Sequence, residues 1–451
     1  MTEQIRPSSR IKSIQRGALI MLVIAGAVNT IDRASLAIAN PMIRKDLGLS
    51  VAEMGVLLSA FLWAYAFSQL PVGVLVDRLG PRKLLAAGLA VWSSAQLVCG
   101  FVGNTVQFAI ARAVLGVGEA PQFPAGARVV RDWFSASERG RAIGIFTCAS
   151  QVGTGLAAPL LTTLILVFGW RWTFVIMGGL GLLVAVMWVV LYRNPAEVTL
   201  TESEHAYRTD GKKSESATIT FAQWKGLFAS GTTWGLVVGY FGVIYVNWLF
   251  NTWLPGYLQM ERHMSIAHVG WAAFIPYVFA VIGSVSSGYL VDFLAARRMS
   301  LARSRKYPLC VFLVLQTVLV VLAARTPSNA VAIACLSGAL FCGTAASASA
   351  WALVTVLAPP ACTGSLGSLQ NFGGYIGGAL APIVTGLIVQ HSGSFVPALY
   401  VGAGMSLFSA CVYLLFVRRP VPLSGEPSAQ GGGADSGMRS KNTLLSRSSA
   451  S

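Results

Sequence analysis

Apolar stretches of roughly 20 residues, each long enough to cross a hydrocarbon core about 30 Å thick as a helix, recur along nearly the whole sequence. With 55% hydrophobic and 11% charged residues among 451, the chain cannot form a soluble globule with a polar surface. Its solvent is therefore expected to be lipid. Twelve spans are predicted at 17–40, 52–76, 82–102, 105–130, 142–168, 172–192, 233–258, 268–293, 307–325, 328–356, 364–390 and 394–417.

The distribution of the 33 Lys and Arg residues predicts the orientation of these spans. Basic residues in short loops resist translocation, so they accumulate on the cytoplasmic side. A cytoplasmic amino terminus places 26 of them on the inner side and five on the outer side, with Arg33 and Arg112 inside the membrane. Both termini are then cytoplasmic, and the net charge of +16 follows from the topology. No basic folded domain is left to bind nucleic acid.

The predicted spans fall into two groups of six, separated by the longest polar stretch between spans. A repeat supports this division, because a Gly, an Asp four residues later and an Arg five residues after that follow both span two and span eight. The two copies are Gly73, Asp77 and Arg82, and Gly288, Asp292 and Arg297. The predicted organisation is a cytoplasmic tail at 1–16, a six-helix bundle at 17–192, a cytoplasmic loop at 193–232, a second six-helix bundle at 233–419 and a disordered tail at 420–451.

The segment from Gly73 to Lys83 resembles the loop signature of the major facilitator superfamily, and the order of spans fits that superfamily over residues 15–420. Within it, the stretches 29–36 and 112–121 are similar to the anion:cation symporters, a family with carriers of galactonate, glucarate, hexuronate and phthalate. The resemblance implies an all-α integral membrane protein with twelve transmembrane helices in two pseudo-symmetric six-helix bundles around a central cavity. A monomer is the state expected of this architecture.

Four charged residues lie well inside predicted spans: Asp32, Arg33, Arg112 and Glu119. A charge in the bilayer costs on the order of a few kcal/mol or more, so such residues normally face an aqueous cavity and mark a transport path. Asn29, Asp32 and Arg33 stand at i, i+3 and i+4, which predicts one shared helical face. Arg112 and Glu119 are two turns apart on a second face.

These charges predict proton symport of an anion. Burial favours the protonated form of a carboxylate, and a neighbouring arginine favours the ionised form. An anionic substrate on Arg33 would release that restraint, so Asp32 and Glu119 are predicted to exchange protons, with Arg112 as the partner of Glu119. The family resemblance implies the same proton-coupling acids and the same anion ligand. The alternative is two structural ion pairs that hold spans one and four together.

Polar side chains in the spans are predicted to complete the substrate site. The predicted substrate-binding residues are Arg33, Arg112, Asn29, Tyr65, Gln151, Asn247, Trp351 and Asn371, of which resemblance to the sugar-acid carriers favours Tyr65, Gln151, Trp351 and Asn371. For any one of the uncharged residues, hydrogen bonding between helices is an equally good explanation. Thr30 stands where those carriers often have Tyr, which leaves aromatic and short dicarboxylic acids open as substrates.

Charged residues at the predicted cytoplasmic ends of spans are candidates for gating. They are Asp77, Arg78, Arg82, Arg139 and Asp292. Charged pairs that form in one conformation and break in another can bias an alternating-access equilibrium by about a few kcal/mol. Free-energy differences between such conformations are of the same order. Ordinary positive-inside loops would explain the basic residues but not Asp77.

No enzyme, cofactor or metal site is predicted. The four histidines are far apart and lack the spacing of metal ligands. No Gly-rich phosphate loop is followed by Lys-Ser or Lys-Thr, which argues against ATP-driven pumping. The seven cysteines fall inside or at the ends of spans without paired spacing.

The sequence therefore predicts a secondary active transporter of a bacterial inner membrane. It would import a small organic anion, such as an aldonate, an aldarate or a related carboxylate, by proton symport through alternating access. Its predicted partners are this anion, protons and the lipid bilayer. The alternative is an anion exchanger or facilitator, which needs the arginines but not the acids.

Overall fold

The chain folds into long helices joined by short turns. A computed structural model describes residues 8–209, 225–297, 299–359 and 363–421, without the side chains at 70, 73–74, 77, 136–137, 140, 147–152, 206, 208–209 and 363–364. The helices are α1 (Ser9–Leu47), α2 (Val51–Cys99), α3 (Thr105–Glu119), α4 (Gln122–Trp133), α5 (Ala136–Leu191), α6 (Glu202–Thr209), α7 (Gly231–Met260), α8 (Ile266–Ala296), α9 (Leu301–Arg325), α10 (Asn329–Leu357), α11 (Thr363–Ser392) and α12 (Val396–Phe416).

Local sequence signals fix the turn between α1 and α2. Gly48 adopts φ 65°, a left-handed conformation that an L side chain rarely takes, and ends α1. Ser50 then caps α2 in a capping box, with its hydroxyl accepting from the Glu53 N–H and the Glu53 carboxylate accepting from the Ser50 N–H. Two orphan N–H groups are satisfied at once, so the chain reverses within three residues.

α2 is a hairpin of two helical segments that reverses at Gly80, where φ is 75°. Gly116 of α3 lies against the backbone of Phe61, and Gly118 lies against the backbone of Trp92. A straight helix would separate Phe61 from Trp92 by about 46 Å, so the two segments must run side by side.

α5 reverses in the same way at Gly169, where φ is 79°. Gly153 before the break lies against Thr30 of α1, and Gly181 after it lies near Val28 of the same helix. Both segments of α5 therefore flank α1.

The predicted span four is divided into α3 and α4. Proline has no backbone N–H to continue a helical ladder, and Pro121 separates the two helices. Among the residues that the structure describes, nine helices or helix segments are long and apolar enough to cross a membrane. Span three falls outside that count, spans five and six share the segment Gly153–Leu191, and the broken span four has no candidate.

The helices pack in a pattern that leaves a central space. α1 packs against α5, α2 against α3, α7 against α11 and α8 against α10, while α2–α11 and α5–α8 contacts connect the earlier helices to the later ones. Large apolar side chains, among them Phe101, Trp172 and Trp271, are more than half exposed on the outer surface, as lipid-facing side chains are.

The polar region predicted as the loop 193–232 contains a helix that the sequence reasoning did not anticipate. α6 contacts the beginnings of α1 and α5. Ser8 donates to the Glu204 carboxylate over 2.6 Å, and Tyr207 donates to the Glu138 carboxylate. Residues 210–224 lie outside the described part of the chain, as does nearly all of the tail predicted from 420 to be disordered.

Candidate functional site

An ion pair between Arg33 of α1 and Glu119 of α3 lies inside the helix assembly. Arg33 Nε donates to Glu119 Oε2 over 2.5 Å; the Glu119 side chain is fully buried, and that of Arg33 is 14% exposed. Glu119 Oε1 makes no hydrogen bond with any residue that the structure describes. Removing one partner of a buried ion pair leaves the other as an uncompensated charge.

Aromatic rings hold both intramembrane arginines on one wall. The Arg33 Cζ lies 4.8 Å from the Tyr65 ring centroid and 5.1 Å from that of Phe61, and the Arg112 Cζ lies 5.5 Å from the same Phe61 centroid. Such contacts stabilise a desolvated cation over the face of the ring. The Tyr65 ring is 4.9 Å from the ring of Tyr375 on α11, which connects this wall to the later helices.

Asp32 is adjacent to Arg33 in the chain but lies behind the wall. It is fully buried, and neither carboxylate oxygen hydrogen-bonds to a residue within the described ranges. Glu119, Arg112 and Trp92 lie close enough to interact with it. Asn29 is likewise buried and unpartnered. The spacing predicted one face for Asn29, Asp32 and Arg33, but only the arginine side chain reaches the cavity.

The predicted pairing of Arg112 with Glu119 is wrong as a direct contact. The hydrogen bond to Glu119 comes from Arg33, because the end of α3 approaches α1 at that level. Arg112 is 2% exposed and interacts with both Glu119 and Asp32 through space, while its Nε and Nη1 make no hydrogen bond among described residues. One arginine is thus paired with Glu119, and the other lies near both acids without a hydrogen bond to either.

A cavity of about 480 Å³ lies between the earlier and later helices. This volume falls in the range of roughly 300–1,000 Å³ typical of small-molecule sites. Of the predicted substrate-binding residues, Arg33, Arg112, Asn247, Trp351 and Asn371 line it. Tyr65 lies behind it, packed on Arg33 and Tyr375, and Asn29 is buried away from it. The side chain of Gln151 lies outside the described residues.

The wall formed by α7, α10 and α11 carries a hydrogen-bonded group that the sequence reasoning only partly identified. Trp351 Nε1 donates to the hydroxyl of Tyr240 over 2.9 Å, and that hydroxyl is 2.9 Å from the hydroxyl of Ser347. Tyr240 and Tyr375 were not predicted. Tyr240 is seven residues before Asn247, and Tyr375 is four after Asn371, so helical spacing from the predicted asparagines would have found both.

The four predicted gating residues whose side chains the structure describes form no ion pair with one another. Arg82 binds Glu197 over 2.6 Å and the Val189 carbonyl over 2.7 Å, and Arg139 donates to the carbonyls of Phe134 and Arg131, both at 3.1 Å. Arg78 and Asp292 are exposed and form no ion pair within the described part of the chain. The side chain of Asp77 lies outside it. Gating by these residues stays a prediction.

Close contacts between α2 and α11 lie on the side of the cavity where α1 ends. Ser59 Oγ donates to the Ala379 carbonyl over 2.5 Å. Gly55 meets Pro382 and Gly386 so closely that a Cβ at Gly55 would lie 2.5 Å from the Pro382 carbonyl oxygen. The α5–α8 contact on the same side brings Gly270 against Thr162. In this conformation that end of the cavity is closed by direct helix contact.

The residues that the structure describes contain no cluster of three or more His, Cys, Asp or Glu that could hold a metal ion.

The chain is similar to known membrane transporters in sequence and in fold. The profile of the Major Facilitator Superfamily matches residues 22–382. A probable L-galactonate transporter of Escherichia coli (strain K12) is 39% identical over 418 residues, which cover 92% of each chain. A D-galactonate transporter of Escherichia coli O6:H1 is 33% identical over 88% of this chain and 94% of the relative. A probable galactarate/D-glucarate transporter of Bacillus subtilis (strain 168) is 34% identical over 92% of this chain and 94% of the relative.

Solved structures show the same fold. A bacterial homologue of the human lysosomal transporter Spinster, in an inward-facing and occupied conformation, superposes with a TM-score of 0.76 at 19% identity, covering 89% of this chain and 96% of the homologue. Its inward-facing, unoccupied form gives a TM-score of 0.73.

Proposed function

Because this chain belongs to the Major Facilitator Superfamily, a family of membrane transporters and not of enzymes, we propose that it imports a sugar-acid anion across a bacterial inner membrane by proton symport. Relatives 33–39% identical over 88–92% of the chain are named for galactonate and for galactarate or glucarate. The observation that carries the proposal is the Arg33–Glu119 ion pair at the wall of the cavity.

The substrate carboxylate takes the place of Glu119 on Arg33. A guanidinium has five N–H donors in a planar fork that matches a carboxylate, and Arg33 uses one of them on Glu119. Asn247 and Asn371 across the cavity, with the Tyr240 hydroxyl that Trp351 positions, hydrogen-bond the hydroxyl groups of the substrate. Aldonates, aldarates and related carboxylates all have a carboxylate at one end and several hydroxyls along the chain.

Proton coupling follows from the loss of the ion pair. When the substrate occupies Arg33, Glu119 is left fully buried without its hydrogen-bonded counter-charge, and a buried carboxylate in that position takes up a proton. Asp32 is the second proton-binding acid, and Arg112 restrains it at a distance. Release of the substrate restores the Arg33–Glu119 pair and expels the proton. Anion and proton therefore move together.

The movement that carries them is alternating access. We assign twelve spans to two six-helix bundles, 17–192 and 233–419, because α2 and α5 fold back and each supplies two of them. The bundles rock about the cavity, opening the α2–α11 contact while the opposite end closes. The accumulation of Lys and Arg in alternate loops supports cytoplasmic termini, and in that orientation the closed end is the outer one. The unit that moves is a monomer.

Uptake into proteoliposomes tests the proposal. Labelled L-galactonate, galactarate and galacturonate are supplied with and without an inward proton gradient. Accumulation above the external concentration only when the gradient is present supports symport. Equilibration that ignores the gradient, or uptake only against an internal anion, identifies the alternative facilitator or exchanger.

A further inference from the structure

We propose that the site selects sugar acids with one carboxylate and rejects the matching dicarboxylates. This inference rests on the proposed function and narrows it. An aldonate and an aldarate of equal length differ at one end only, where the aldonate has a hydroxymethyl group and the aldarate a second carboxylate. The position of positive charge in the cavity wall decides which of them fits.

Both cations of the described cavity wall belong to the first half of the chain. Arg33 and Arg112 hold their Cζ atoms 5.1 Å and 5.5 Å from the centroid of the same Phe61 ring, so they share one patch. The Arg33 side chain is 14% exposed, whereas Arg112 is 2% exposed and interacts with Asp32 and Glu119. The patch therefore presents one guanidinium to a ligand.

The opposite wall is neutral. α7 and α10 contain no Lys, Arg or His, and the histidines of α8 and α11, His268 and His391, lie near the helix ends away from the cavity. The side-chain amides of Asn247, Asn251 and Asn371 line the cavity and make no hydrogen bond within the described part of the chain. Free amides both donate and accept, which suits hydroxyl groups.

A second carboxylate at this wall would lose its hydration without gaining a counter-charge. An unpaired charge taken out of water costs far more than a hydroxyl that finds a hydrogen bond. A hydroxymethyl group meets the amides and retains its bonds. We expect the monocarboxylate to bind at least about tenfold more tightly, a difference of about 1.4 kcal/mol. In the competing geometry, a dicarboxylate binds Arg33 with one carboxylate and Arg112 with the other.

Competition against uptake of labelled L-galactonate by the full-length protein tests this. The competitors are galactitol, L-galactonate and galactarate at neutral pH, which share a six-carbon polyol chain and carry no, one and two carboxylates. We expect L-galactonate to inhibit at a concentration at least tenfold lower than galactarate, and galactitol not to inhibit. Equal or stronger inhibition by galactarate would overturn the selectivity and favour the bridging geometry. Absence of uptake of labelled L-galactonate, galactarate and galacturonate alike would instead overturn the proposed function.

A charge-gain variant tests the role of the neutral wall directly. Asn371→Lys adds a cation opposite Arg33, and Asn371→Gln is the neutral control. We expect the lysine variant to improve inhibition by galactarate relative to L-galactonate by about tenfold over the glutamine variant. An unchanged ratio in a folded lysine variant would show that this wall does not set the preference. The wild-type competition series decides the selectivity even where the variant does not fold.

Discussion

At the scale of single residues, the site contains one buried ion pair and several buried polar groups without a hydrogen bond. Arg33 and Glu119 share one hydrogen bond over 2.5 Å, while Glu119 Oε1, Arg33 Nη2 and both Asp32 oxygens are buried without a hydrogen bond in the described structure. Unpaired buried polar groups cost stability, so they persist where function requires them. These polar groups lie beside the ion pair, where we propose that a proton is gained and lost.

The cavity wall that contains Trp351 and Tyr240 gives a prediction at the same scale. Trp351→Phe keeps an aromatic ring but removes the N–H that positions the Tyr240 hydroxyl at 2.9 Å. A net loss of about 0.5–1.5 kcal/mol is expected for one hydrogen bond, which raises KM for the transported sugar acid roughly two- to tenfold. Initial rates of uptake measure it. Trp172→Phe, at an exposed position, is the control. An unchanged KM in Trp351→Phe would contradict this role.

The charged residues show where prediction from sequence succeeds and where it stops. The cost of a charge in lipid singled out Arg33, Arg112 and Glu119, and the structure places all three at or beside the cavity. Spacing along one helix says nothing about the relative depth of two helices, so the sequence assigned the wrong arginine to Glu119. One residue also turns a helix by about 100°, enough to put Asp32 behind the wall that Arg33 lines.

At the scale of helices, the order of apolar stretches predicted the fold because lipid leaves a chain little alternative to helices. The ends were less predictable. α1 runs over Ser9–Leu47, well beyond the predicted 17–40, since the hydroxyl of Ser8 caps it at one end and Gly48 terminates it at the other. Hydropathy does not detect caps. It also does not detect Pro121, which divides span four.

The α2–α11 contact gives a prediction for a helix pair. Gly55→Leu would push a side chain into the Pro382 carbonyl oxygen, 2.5 Å from the position of its Cβ, and so disfavour closure of that end. We expect uptake to fall at least tenfold while the protein remains folded, because the closed-end conformation becomes less populated. Gly404→Leu is the control, since nothing lies within 4 Å of a Cβ there. Equal uptake by both variants would contradict the prediction that transport needs the close contact between α2 and α11.

At the scale of the whole molecule, α6 connects the middle of the chain to its beginning. The Ser8 hydroxyl and the Thr201 N–H donate to Glu204 over 2.6 Å and 3.0 Å. These bonds lower the pKa of Glu204 below its usual value. The unfolded-state pKa of a glutamate is about 4.3. Because the folded-state pKa is lower, these bonds stabilise the fold fully above the unfolded-state pKa, and that stabilisation is lost as pH falls through the folded-state pKa.

Glu204→Gln should therefore loosen α6 at neutral pH. Hydrogen exchange of residues 202–209, corrected for the intrinsic effect of pH, is expected to rise in Glu204→Gln and to lose the acid sensitivity seen in the wild type. Glu202→Gln is the matched control, because Glu202 is exposed on the same helix. Identical exchange in the two variants would show that the Glu204 bonds do not hold α6.

The transport cycle of the whole molecule depends on whether Arg33–Glu119 couples proton to anion. The most direct measurement compares the wild type with Glu119→Gln in proteoliposomes, for accumulation of labelled L-galactonate under an inward proton gradient and for exchange counterflow without one. We predict that Glu119→Gln abolishes accumulation and retains counterflow, since glutamine cannot exchange a proton but leaves Arg33 free to bind the anion. Undiminished accumulation by Glu119→Gln would contradict proton coupling at this pair.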